Sequence, residues 1–164
     1  MTTLALQYGT LTTITITVAS LPSDASLSSG RQSTAIDNST NEYVDYIFQG
    51  FVSLGGSVTV EAKQMQLWAY GSNDGVGYTA GLASADAAKN VCGQKTLLKL
   101  VEAFPTTSVV SGTYHVGPYS AANVFRGTIP NYWGIFLAQS TCQILHSLSG
   151  THEFSYVPLY YQSA

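Results

Sequence analysis

His115, His146 and His152 are the only histidines in the chain, so the search for chemistry starts there. His146 and His152 stand six residues apart around Ser149-Gly150, a turn that would let them meet. A zinc centre takes three or four ligands at recognisable spacing, and no further ligand accompanies this pair. The expected role is a loop histidine bonded to backbone. Ser72-Asn73-Asp74-Gly75-Val76-Gly77 has the glycines and oxygens of a calcium loop. The twelve-residue version needs several carboxylates and a closing glutamate, and this stretch supplies neither. Asx hydrogen bonds within a turn account for the same residues. The nine acidic residues show no spacing that suggests a glycosidase pair. No nucleophile elbow, P-loop or dinucleotide fingerprint occurs. The expectation is no enzyme, no cofactor and no metal.

Three further groups need roles. Asp45 lies inside the apolar run of residues 43–54, where a buried carboxylate needs a partner; Arg31 and Arg126 are the candidates, with an edge open to solvent as the other reading. Cys92 and Cys142 lie far apart and in no ligand spacing, and free thiols, buried or half-buried, are expected of them. Trp68, Tyr70, Tyr132 and Trp133 suit a sugar-stacking platform, or else pack the second face of a sandwich or an intersubunit contact, which is the expected role.

The elements that hold these residues read as strands. In Gln64-Met65-Gln66-Leu67-Trp68-Ala69-Tyr70, the residues Met65, Leu67 and Ala69 share one parity and form an apolar stripe. Residues 11–18 alternate Ile14, Ile16 and Val18 with Thr13, Thr15 and Thr17, the clearest strand pattern in the chain. Residues 21–42 are rich in Ser, Thr, Asn and Asp and read as a long loop, with a short strand around Arg31-Gln32-Ser33-Thr34. Residues 43–54 are apolar on both parities, as in a central strand covered on both sides or one packed against a neighbouring subunit, and Gly50 marks a bulge or close packing. Gly55-Gly56 turns the chain into Val58-Thr59-Val60. Residues 80–93 read as loop. Residues 97–104 read as a strand stopped by Pro105, and residues 113–116 as one ended by Gly117-Pro118. Residues 121–128 are a candidate strand. Residues 133–139 form a near-continuous apolar strand, Ser140-Thr141 a hairpin tip, and residues 142–145 its return. Residues 153–161 close the chain. About eight short strands separated by Gly, Pro, Ser and Asn turns predict an all-β sandwich or barrel in a single domain spanning residues 1–164, with residues 1–8 as a possible arm.

Composition narrows the partners. At 164 residues and 17.4 kDa the chain can bury one sizeable core. Only 9% of residues are charged, against roughly 25% in an ordinary soluble domain. Ser and Thr fill the difference, together with 11 tyrosines. Such side chains lose little rotamer freedom when held still, so this surface suits contact with another protein. β-rich domains also favour Thr and Tyr for their own sake. The six basic residues are scattered and the net charge is −3, which argues against a nucleic-acid partner. No apolar run is long enough to span a bilayer as a helix, so no membrane partner is expected. The start lacks a charged n-region and a long apolar core, and the expectation is folding in a cytoplasm.

Several blocks, in order along the chain, carry a resemblance. They are Gln7-Tyr8-Gly9-Thr10 ahead of the Thr-rich strand, then Ser20-Leu21. Next comes Gly30-Arg31-Gln32-Ser33-Thr34-Ala35-Ile36-Asp37-Asn38-Ser39-Thr40-Asn41 running into an apolar strand. Ala69-Tyr70-Gly71-Ser72-Asn73-Asp74-Gly75 and Pro130-Asn131-Tyr132-Trp133-Gly134-Ile135 complete the set. Together they resemble a family of tailed-bacteriophage capsid cement or decoration (auxiliary head) proteins. The resemblance implies a jelly-roll-like β-sandwich on the outer surface of the phage head. It implies binding to the major capsid protein, a homo-oligomer that is trimeric around local three-fold axes, and location in the virion. It also implies neighbour contacts through the arm and the long loop, at Thr2, Thr3, Leu4, Gln7, Tyr8, Arg31 and Gln32, because extended segments can add to a partner's sheet. A tail or receptor-binding virion protein that recognises a host-surface glycan through the four aromatics is the other functional reading.

Overall fold

A computed structural model describes residues 3–56, 63–106 and 112–163 of the chain. The strands, in order, are β1 (Leu4–Tyr8), β2 (Thr12–Thr13), β3 (Ser29–Gln32), β4 (Ile36–Asp37), β5 (Asp45–Ser53) and β6 (Lys63–Ser72). They continue as β7 (Ala87–Asn90), β8 (Lys99–Thr106), β9 (Thr113–Ser120), β10 (Tyr132–Gln139) and β11 (Glu153–Ser163), with one helical turn, α1 (Ala121–Val124), before β10. They form two antiparallel sheets. One runs β1-β11-β5-β9, with β2 also paired to β11; the other runs β7-β3-β10-β6-β8, with β4 also paired to β10. The protein is all-β and sandwich-like.

The alternation of β6 does what its pattern predicts: Met65, Leu67 and Ala69 are buried. They join Trp133, Ile135 and Leu137 of β10 or lie beside them, and the opposite sheet contributes Tyr46, Phe48 and Val52 of β5, Val116 of β9 and Phe154 of β11. Trp133 is the centre of this core, with ring centroids 5.2 Å from Tyr46 and 5.6 Å from Phe48. The other parity of the β10 sheet is covered as well. Tyr70, Phe136 and Ala138 pack there against Tyr78, Leu82, Val91 and Leu98, supplied by the excursion between β6 and β8. This explains why β10 is apolar at nearly every position: a strand with both faces covered has no polar parity.

β5 is central, between β11 and β9, and the expected irregularity lies at Gly50, where its register with β9 shifts. A Cβ at Gly50 would come within 2.4 Å of the Glu153 carbonyl and the Phe154 ring, so only glycine fits.

Several expectations are corrected. Residues 11–18 keep their alternation in burial but pair as a strand only at Thr12 and Thr13. The reason is a crossing: the Ile14 N–H donates to the Phe154 carbonyl of one sheet, while the Thr15 carbonyl accepts from the Thr34 N–H beside the other. A segment that passes from sheet to sheet cannot follow either ladder. Residues 21–42 hold the short strand expected around Arg31, starting two residues earlier as β3, and a second that was not expected, β4, both against β10. Residues 80–93 contain the strand β7, paired to β3. β8 runs through Pro105, which is tolerated because β8 is an edge, and β9 runs through Gly117-Pro118 to Ser120. Residues 121–128 hold α1 rather than a strand, capped by the Ser120 hydroxyl accepting from the Asn123 N–H. Residues 142–145 make a single bridge, Leu145 to Leu54. Val58-Thr59-Val60 lies outside the described residues.

Candidate interaction surface

β1 lies at the end of its sheet, paired to β11 on one side. Leu4, Leu6 and Tyr8 stand opposite Ser163, Tyr161 and Leu159. Directly opposed residues share a face, so these side chains form one row on the outside of the sheet. Most of the row is exposed, Leu4 at 67%, Leu6 at 45%, Tyr8 at 69% and Tyr161 at 60%, while Leu159 is buried. Leu11, just beyond β1, is also exposed. No charged residue occurs in residues 3–13 or 156–163.

The backbone adds a second property. The Gly9 N–H donates to the Pro158 carbonyl at 2.8 Å, which sets the phase of the ladder. Bonded and non-bonded pairs alternate in an antiparallel pair. Ala5 and Gln7 therefore bond to β11, while Leu4, Leu6 and Tyr8 turn their N–H and C=O groups outward.

Further along the same face, Gln49, Phe51, His115 and Glu153 border a shallow groove of about 290 Å³ over Gly50 and Gly117. The His115 ring lies 5.9 Å from Phe51.

The residues singled out from sequence fall in different places. Thr2 lies outside the described residues. Thr3, Leu4 and Tyr8 are exposed and Gln7 is half-buried. Arg31 forms a two-pronged ion pair with Asp86, Nε to Oδ1 at 2.6 Å and Nη2 to Oδ2 at 2.9 Å. Burial pulls the Asp86 carboxyl up, but hydrogen bonds from Arg31 and Thr17 outweigh it and hold the group below the usual carboxylate range. Gln32 has no exposed surface to offer a neighbour. Its amide donates to the Ala83 carbonyl at 2.8 Å and to the Ala85 carbonyl, and accepts from the Ala83 N–H at 3.1 Å. The sequence reading missed Leu6, Leu11 and Tyr161. The period-two row Leu4, Leu6, Tyr8 was the signal for the first.

His146 and His152 do approach each other, through backbone. The His152 Nε2 lies 2.8 Å from the His146 carbonyl, and its Nδ1 accepts from the Ser53 N–H at 3.2 Å. One ring nitrogen donates and the other accepts, which is the neutral imidazole. Burial lowers the His152 pKa in keeping with this. Asp74 accepts from the Ser72 hydroxyl and from the Val76 and Gly77 N–H groups. These bonds, the Ser72 one first, hold its carboxyl at about 2. The Ser72–Gly77 stretch is thus a turn organised by one carboxylate. Asp45 finds neither arginine: it accepts from the Ser120 hydroxyl and the Ala122 N–H. Among the described residues no three His, Cys, Asp or Glu side chains converge as metal ligands would.

The four aromatics do not form a platform. Tyr70 and Trp133 are fully buried, in two different clusters on opposite faces of the β10 sheet. Trp68 is half-buried, with the Lys95 ammonium 5.1 Å from its ring. The two cysteines are free thiols, as expected, but both are exposed rather than buried. Among the described residues no helix is long and apolar enough to cross a membrane. No family model, no curated protein and no solved structure matches this chain.

Proposed function

We propose that this chain is a virion structural protein, a cement or decoration protein that binds the major capsid protein on the outside of a phage head and stabilises the shell. The observation that carries the reading is the strand order. β1-β11-β5-β9 facing β3-β10-β6-β8, with β7 outside β3, supports a jelly-roll reading, in which eight strands wind as two Greek keys. That fold is at home in viral shells, and it is the one the sequence resemblance implies. Jelly rolls also serve unrelated roles, so the surface has to carry the rest of the argument.

The bare face of the β1 sheet supports a binding role. It carries an exposed apolar row free of charge, on a sparsely charged chain. A shell presents the same site many times, and weak contacts repeated by symmetry sum to firm attachment. Function by binding needs no reacting group.

The test is addition of the purified protein to expanded heads that lack it. Saturable binding, seen as symmetric clusters over the shell by cryo-EM, is the expected result. Heads that stay bare at saturating protein, or density confined to the tail tip, would overturn the reading.

A further inference from the structure

The two sheets end in four strands, and three of these ends are blunted against pairing. β7 has four residues and carries Lys89. β8 carries Lys99 and Pro105, and β9 carries Gly117-Pro118. Short length, lysine and proline are the usual means of protecting a sheet edge. β1, Leu-Ala-Leu-Gln-Tyr, has none of them. Its outward N–H and C=O groups, at Leu4, Leu6 and Tyr8, form a ready template for another strand.

From this contrast we infer that β1 is a homodimer interface, in which two copies of the chain pair their β1 strands antiparallel about a two-fold axis at Leu6. The register is self-complementary. Leu6 faces Leu6 of the second copy, and Leu4 faces Tyr8 of the second copy. All three residues point their backbone groups outward, so this pairing forms about six hydrogen bonds across the axis without disturbing the bonds from Ala5 and Gln7 to β11. It also sets the exposed rows of the two copies side by side on one face.

Charge and register both favour a second copy as the occupant. No charge lies in the row, so none must be stripped of water when like meets like. The two-fold sets Leu6 against Leu6 and Leu4 against Tyr8, exposed apolar side chains that meet their like across the axis. The arrangement closes on itself, because among the described residues each copy has one such edge and the two-fold uses it up. It is two-fold, not the three-fold cluster that the family resemblance implies, and it does not depend on the cement reading.

The experiment is sedimentation velocity with native mass spectrometry at micromolar concentrations, without capsids. The wild-type chain is expected at twice the 17.4 kDa chain mass. Leu6→Pro removes an outward N–H and no inward one, and Leu6→Lys puts a charge on the axis. Both are expected at the mass of a single chain with an unchanged far-UV circular dichroism spectrum. Val76→Lys, at a side chain 84% exposed in the Ser72–Gly77 turn, is the control that stays dimeric. A wild-type monomer, a trimer, or a dimer that survives both Leu6 variants would overturn the inference. So would a wild-type monomer whose head binding is lost with Leu6→Lys, since the edge would then belong to the shell protein.

Discussion

The two sheets of this molecule share one core and treat their outer faces differently. The β10 sheet has its outer face covered by the excursion between β6 and β8, and Tyr70, Phe136 and Ala138 are buried there as deeply as Ile135 and Leu137 are inside. The β1 sheet leaves its outer face largely bare toward β1: Leu4, Leu6, Tyr8 and Tyr161 stand in solvent, and only Ser155 and Leu159 of that face of β11 are buried. A sheet needs one covered face to be stable, and covering the second takes additional chain. This protein spends that chain on the β10 sheet and leaves the other free. The difference separates a face made for stability from a face made for contact.

The comparison is broken or upheld most directly by two matched truncations. Phe136→Ala removes a fully buried ring from the outer face of the covered sheet and is expected to cost about 3–5 kcal/mol, because the site keeps a cavity. Phe51→Ala removes a half-buried ring from the outer face of the bare sheet and is expected to cost about 1 kcal/mol. Urea denaturation at matched protein concentration gives both values. Equal losses would mean that the bare face also carries stability, and the division of labour would fail.

The same contrast explains what was legible in the sequence. β6 could be read because Met65, Leu67 and Ala69 alternate with less deeply buried neighbours as far as Trp68. β10 could be read as a strand, since Pro130-Asn131 bounds a short apolar run, but periodicity could not say that an excursion covers its far side. β3 was legible only as a short strand around Arg31, and β4 and β7 were hidden, for a related reason. Gln32 and Ser33 are polar yet buried, because backbone carbonyls and N–H groups elsewhere in the chain satisfy them. Partners distant in sequence leave no local pattern. Residues 11–18 failed in the opposite sense: the strand pattern is real, but the chain uses it to cross between sheets. Of the surface, the row Leu4, Leu6, Tyr8 was written in the sequence; its exposure and its edge position were not.

A medium effect is expected where the crossing segment is fastened. Asp86 accepts from Arg31 and also from the Thr17 N–H at 3.1 Å and the Thr17 hydroxyl at 2.6 Å, so one carboxylate ties residues 11–18 to the covered sheet. The pair is partly exposed, with 25% and 13% of the two side chains accessible, so it lies between a surface ion pair and a buried one. Asp86→Ala is expected to cost about 1–2 kcal/mol. Hydrogen exchange locates the loss: the Thr17 N–H should exchange faster while the β6 and β10 amides lose only the global difference. Unchanged exchange at Thr17 would show that the crossing is held by its apolar contacts, Ile14 and Val18, and not by the clasp.

The smallest effect belongs to pH, and it lies at the rim of the bare sheet. His152 is held neutral by burial, with its Nδ1 taking the Ser53 N–H, so its folded pKa lies below the ordinary 6.5. As pH falls through 6.5 the unfolded chain gains a proton that the folded chain resists, and stability declines until the folded pKa is passed. Asp74 acts elsewhere: its folded carboxyl, at about 2, loses its contribution only as pH drops below the ordinary 3.8. Between pH 7 and pH 5, therefore, the decline belongs to His152. It should amount to a few °C in Tm at most, since 1 kcal/mol corresponds to about 2–4 °C in a domain of this size. His152→Gln keeps a donor and an acceptor but cannot titrate, so its Tm should be flat over that interval. A variant that slopes as the wild type does would move the titration away from His152, and with it the claim that the β5–β11 end of the bare sheet is held by a neutral imidazole.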